Sequence, residues 1–229
     1  MNNDQFLSNA VDNSTWTEKE LIGPGIAVYR NVLNKNIDII NRIENVLSDE
    51  TQQRYKWQEA LVGYAQKMPE YRDCVDFKYK KTDLQFDRGE HSLKLQSLWQ
   101  DVYDVKLPAV KDYSHHFKLA ELKYWESFNF IKYGPGKHFQ EHHDHGFSYN
   151  CVVSLVGYPN DDYEGGELYF RLQDLTVTPK AGDLYIFPSN YMYPHRAMPV
   201  VSGTKYSIVT MLDYSSKYHN PKFYQETGD

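Results

Sequence analysis

The chain has 229 residues, 41% of them hydrophobic and 24% charged, so it can bury a core, and no apolar run approaches the ~18 residues of a membrane-crossing helix. Its 31 acidic and 25 basic residues leave a formal net charge of -6, against the basic face of a general nucleic-acid binder. Two cysteines, Cys74 and Cys151, are too few for a disulfide framework or a cysteine zinc site.

In chain order, residues 1–20 read as a polar arm, MNNDQFLSNAVDNSTWTEKE, without the apolar segment of a secretory signal. With reduced thiols, this places the expected location in the cytoplasm. IAVYRNVL (26–33) is an opening strand. NKNIDIINRIENVLSDE follows as a helix, with Ile37, Ile40, Ile43 and Leu47 at helical spacing. Residues 50–90 mix aromatics with charges and are expected to be irregular, with one or two short strands. HSLKLQSLWQDVYDV is a second helix that buries Leu95, Leu98, Trp99 and Val102. Pro108 ends or kinks it, with a further helical turn to about His116.

From about residue 119 the pattern changes. LKYWESFNFIKY, YNCVVSLVGY, GELYFRL, LTVTP, DLYIFP and KYSIVTMLDY are short runs rich in β-branched and aromatic residues. Turn signals such as GPG, PNDD, EGG and KAG separate them. Twenty tyrosines add to the bias toward half-buried strands. The expected class is mainly β with N-terminal helices (α+β), an antiparallel sandwich or barrel of short strands. One domain is expected over 21–214, with helical support over 21–118 and the β core over 119–214. The arm at 1–20 and a polar tail at 215–229 flank it.

EHHDHG (141–146) carries the chemistry. His142 and Asp144 are two apart, and so are His143 and His145, so either pair can project from one face of a strand. Two imidazoles and one carboxylate on one face of an octahedral ion form the facial arrangement of non-haem Fe(II) oxygenases. The third ligand must come from elsewhere, and His195 stands in the β-region about fifty residues on. The His143–His145 pair with a distant glutamate would suit a cupin-type site, and spacing alone leaves both registers open.

Longer motifs choose between them. Tyr133, Gly136, Phe139, His142 and Asp144 stand in the order Y-x-x-G-x-x-[YF]-x-x-H-x-D, EGGELYF follows at 164–170, and Lys205 lies ten positions after His195. Over about residues 120–213 the chain thereby resembles the 2-oxoglutarate and Fe(II)-dependent dioxygenases, in particular the prolyl 4-hydroxylase-like branch. The resemblance implies a double-stranded β-helix, or jelly-roll, with His142, Asp144 and His195 holding Fe(II). It implies that Lys205 pairs with the distal carboxylate of 2-oxoglutarate, that the Tyr133 hydroxyl reaches the same co-substrate, and that O2 is consumed. Ascorbate is the expected reductant. His143 and His145 become bystanders facing away from the metal.

The residue types agree with this. Fe(II) with one aspartate carries net +1, which the chelating end of 2-oxoglutarate neutralises, so the remaining carboxylate needs a buried cation. Ser207, two after Lys205, shares its strand face and can hydrogen-bond the same carboxylate. The resemblance also implies hydroxylation, because related halogenases lack the metal-binding carboxylate that Asp144 supplies. Gly134 and Gly136 shape a turn, EGGEL is a turn into a strand, and Arg196 either contacts substrate or makes a surface ion pair. The branch implies a prolyl side chain in a peptide; a free amino acid or other small molecule is the alternative, and a catalytically silent jelly-roll module the alternative outside enzymes. No nucleic-acid partner is expected, because the demethylase branch uses arginine where Lys205 stands.

Overall fold

The structure, a computed structural model, describes residues 16–62, 65–84, 86–146 and 150–219. The N-terminal third supplies both sheet edges and helices. Strand β1 (Glu18–Gly23) pairs antiparallel with β2 (Ile26–Arg30). Residues 18–20 are therefore sheet, not arm, and Trp16 packs edge-on against Tyr29 at 5.1 Å; the rest of the expected arm, 1–15, lies outside the described residues. Strand β2 stops at Arg30, where Asn31 takes φ 62°.

Helix α1 spans Ile39–Leu47 and buries Ile39, Ile43, Val46 and Leu47. It is shorter than expected, and its buried stripe is Ile39-centred. Asp38 has φ 51°, which breaks the helical path, and residues 35–37 form a 3₁₀ turn. The spacing of Ile37 and Ile40 thus spans a break and not a helix face. The segment from 50 to 90 is more regular than expected: β3 (Gln58–Glu59), β4 (Arg72–Asp73), β5 (Val75–Tyr79) and helix α2 (Lys81–Leu84). Helix α3 runs unbroken from Glu90 to His116. Pro108 lies inside it without ending it, since tertiary packing of Leu95, Leu98, Val102, Ala109 and Val110 outweighs one lost backbone bond. No described helix is long and apolar enough to cross a membrane.

The remaining strands are β6 (Tyr124–Trp125), β7 (Phe128–Tyr133), β8 (His138–His142), β9 (Val153–Gly157), β10 (Tyr163–Gly165), β11 (Leu168–Phe170), β12 (Leu175–Val177), β13 (Leu184–Pro188), β14 (His195–Ala197), β15 (Val200–Gly203) and β16 (Lys205–Asp213). The major sheet has the order β1-β2-β13-β9-β16-β7-β5-β3, with β6 beside β16; the minor sheet has the order β12-β11-β14-β8-β4. Strands β10 and β15 pair separately. All pairings are antiparallel, giving the jelly-roll expected from the sequence, mostly β with helices to one side.

Period-two alternation explains the layering. Phe128, Phe130, Ile208 and Leu212 on β7 and β16, with Leu155 and Ile186, turn outward and pack under α1 and α3. Asn129, Ile131 and Tyr133, and Lys205, Ser207, Val209 and Met211, turn inward and line a cavity between the sheets. The turn at Gly134–Gly136 joins β7 to β8, with Lys137 N–H donating to the Gly134 carbonyl at 3.0 Å. Residues 215–219 are less loose than the expected tail: His219 pairs with Asp213 at 3.0 Å and stacks on Tyr124. Residues 220–229 lie outside the described residues.

Candidate active site

His142 ends β8 and His195 opens β14, and these two residues are paired in the ladder. Asp144 follows two residues after the strand end. The Asp144 carboxylate sits 3.6 Å from His142 Nε2 and 3.8 Å from His195 Nε2. One donor atom from each of the three lies within 4.8 Å of the others. Side-chain exposure is 16% for His142 and 6% for both Asp144 and His195, so the three donors face one another away from bulk water.

Each ring is oriented from behind. His142 Nδ1 lies 2.8 Å from the Gln140 carbonyl and His195 Nδ1 lies 3.0 Å from the Tyr193 carbonyl. A carbonyl accepts only, so Nδ1 is the donor in both rings and Nε2 is the nitrogen turned to the centre. Phe139 stacks on His142 at 3.7 Å, and Phe187 packs edge-on against His195 at 4.9 Å. Burial, followed by the neighbouring His195, holds the His142 imidazole well below its ordinary pKa, in the neutral form a metal requires. Asp144 accepts a hydrogen bond from Ser154 at 2.5 Å, and Ser154 is bonded in turn to Ser189 at 2.7 Å.

The other two histidines of the stretch do not join this group. His143 is exposed at the lip of the cavity, with Nδ1 against the His145 carbonyl. His145 turns the other way, 2.8 Å from the Cys151 carbonyl. The structure therefore brings together His142, Asp144 and His195, not the His143–His145 pair.

The cavity measures about 280 Å³ and is lined by the triad, Tyr133, Lys205 and Ser207 among others. Lys205 opens β16 opposite Tyr133 and is 1% exposed. Its ammonium donates to the Gly166 carbonyl at 2.5 Å and lies over the rings of Tyr133 and Tyr158, at 5.3 and 5.2 Å. Burial pushes its pKa down to about 7, with Glu167 opposing at longer range. Ser207 is buried on the same face. The EGG turn serves this lysine. Gly165 and Gly166 have φ +72° and +68°, and a Cβ on Gly165 would sit 2.6 Å from the Pro199 carbonyl. That close path is what brings the Gly166 carbonyl to Lys205.

Arg196 lies on the face of β14 opposite His195. Its guanidinium stacks over Tyr169 at 4.9 Å, and its buried Nε has no hydrogen-bond partner among the described residues. It does not line the cavity, and it makes no ion pair among the described residues. Sequence reasoning missed Ser154, Ser189 and Tyr158. The readable signal for Ser154 was a polar residue inside the apolar run VVSLVG.

Residues 128–212 match the 2OG-Fe(II) oxygenase superfamily. A PKHD-type hydroxylase of Colwellia psychrerythraea (strain 34H / ATCC BAA-681) is 38% identical over 28% of this chain and 28% of its own length. The chain spans less than half the length of the curated relatives it matches. Among solved structures, a Trichoplax adhaerens prolyl hydroxylase in complex with a hypoxia inducible factor peptide fragment superposes with TM-score 0.62 at 14% identity, covering 82% of this chain and 83% of that one. A Pseudomonas putida prolyl-4-hydroxylase superposes with TM-score 0.61 at 19% identity, covering 82% and 92%. Residues 128–212 are thus similar to the 2OG-Fe(II) oxygenase superfamily, and the chain shares the fold of these two prolyl hydroxylase structures.

Proposed function

We propose that the chain is an Fe(II)- and 2-oxoglutarate-dependent dioxygenase that hydroxylates an unactivated C–H bond, with release of succinate and CO2. The observation that carries this reading is Lys205. An ammonium that is 1% exposed, with a carbonyl and two ring faces as its partners, is costly unless an anion joins it. The same cavity holds two imidazoles and one carboxylate, the donor set of a facial Fe(II) site. Both halves fit one dicarboxylate that chelates a metal at one end.

In this reading His142, Asp144 and His195 hold the iron, and the Nδ1 contacts to Gln140 and Tyr193 fix their rings. Ser154 steadies the aspartate. Lys205 neutralises the distal carboxylate, with Ser207 and Tyr133 beside it. Iron with 2-oxoglutarate and O2 supplies the oxidation, one oxygen atom entering the substrate and one entering succinate. The walls of Ile131, Val156 and Val209 keep water away.

The preferred substrate is a prolyl side chain in a peptide, supported by the peptide in the Trichoplax structure and by the shared fold; free amino acids and other small molecules are the alternative. The test supplies Fe(II), 2-oxoglutarate, O2 and ascorbate with proline-containing peptides and free amino acids, and looks for a one-oxygen mass gain. A gain on peptide proline supports the reading. Gain on a free amino acid alone moves the substrate class, and no gain or succinate with any compound favours a silent module.

A further inference from the structure

Asn129 faces the same cavity and has no role in holding the metal or the dicarboxylate. It stands on β7 with the parity of Ile131 and Tyr133, directly across from Val209 on β16 and from Lys78 on β5. It is 8% exposed, and its Oδ1 is buried with no hydrogen-bond partner among the described residues. A buried amide oxygen left without a donor is uncommon, because it has lost water and gained nothing. Of its neighbours on this face, Val209 and Ile131 are apolar and offer its oxygen no donor. Along β16 it lies toward Met211, away from Lys205 at the strand start, and Met211 pairs with Ser154, the residue that holds Asp144. Asn129 is therefore beside the metal-proximal half of the cavity.

We infer that Asn129 is a substrate-binding residue whose side-chain oxygen accepts an N–H from the molecule being oxidised. The backbone of an amino acid, free or within a peptide, carries such an N–H. A peptidyl proline has no N–H of its own, so there the donor belongs to a flanking residue. The inference rests on the iron and 2-oxoglutarate reading of the cavity.

The experiment uses full-length protein loaded with Zn(II) and 2-oxoglutarate, so that no turnover occurs. Melting temperature is measured with the twenty free L-amino acids and with their N-acetyl, N′-methylamide derivatives, which mimic a peptide unit. The expected result is that at least one compound raises the melting temperature beyond 2-oxoglutarate alone. In Asn129→Leu its affinity falls by about tenfold or more. In Asn129→Asp, which keeps the acceptor and loses the donor half of the amide, affinity stays within about threefold, and circular dichroism establishes that both variants fold. Hits among the free acids or among the derivatives identify the source of the N–H. The inference is overturned if 2-oxoglutarate shifts the melt and no compound adds to it. It is also overturned if Asn129→Leu binds the best compound as well as the parent, or if Asn129→Asp fails as Asn129→Leu does. Absence of any 2-oxoglutarate shift would instead bring down the underlying reading and this inference with it.

Discussion

Three lysine and histidine environments decide what this chain can do at the residue scale. Lys205 is buried with a carbonyl and ring faces for company, and an anion in the cavity would relieve it. Lys205→Ala should therefore abolish the rise in melting temperature that 2-oxoglutarate gives by mass action, about 2.7 kcal/mol at a hundredfold excess over Kd; an undiminished shift assigns the dicarboxylate elsewhere. Among the histidines, His143→Ala and His145→Ala should leave metal content near that of the parent by elemental analysis, while Asp144→Ala should lose most of it. Lys106 is the second buried lysine, 0% exposed on α3, 3.4 Å from both the Ile208 carbonyl and the Thr210 hydroxyl and over the Phe128 ring. Burial pushes it from 10.5 down to about 7. Between those values the unfolded chain binds the extra proton, so stability should rise with pH through that window. Lys106→Met should raise stability at pH 7 by about 1 kcal/mol or more and flatten the rise between pH 7 and 9, read from urea unfolding.

At the scale of elements, the strands were legible where alternation was clean and the helices where apolar spacing was sustained. The stripe Leu95, Leu98, Trp99 and Val102 is buried in α3 as its spacing implied. Leu98→Ala should cost about 2–5 kcal/mol, measured by chemical denaturation; less than 1 kcal/mol would mean the helix is not packed as described. Two elements were harder to read for physical reasons. The start of α1 depends on Asp38 adopting φ 51°, which no spacing rule reveals. β5 reads V-D-F-K-Y, a clean alternation, yet its flanking charges hid it. Val75, Phe77 and Tyr79 share the strand face that packs Phe77 and Tyr79 toward the helices, leaving Asp76 and Lys78 on the other face. The motif frame around residues 133–144 set the register of EHHDHG, and the distant partners His195 and Lys205 followed from that frame. Ser154 and Asn129 stayed hidden because each is a single polar residue in an apolar run, and only the pairing of strands shows what it faces.

For the whole molecule, the helices on the outer face of the major sheet hold its strands while the inner face is left to build a cavity. The minor sheet closes that cavity and contributes His142 and His195 from paired strand ends. In our proposal this cavity couples iron to 2-oxoglutarate. Its most direct test is Fe(II)-dependent formation of succinate from 2-oxoglutarate under air, run side by side on the parent, Asp144→Ala and Lys205→Ala. The parent should form iron-dependent succinate, slowly without substrate, Asp144→Ala none above background, and Lys205→Ala should need far more 2-oxoglutarate. Succinate formation that survives Asp144→Ala unchanged, or a parent protein that forms none with any compound of the panel, would contradict the proposal.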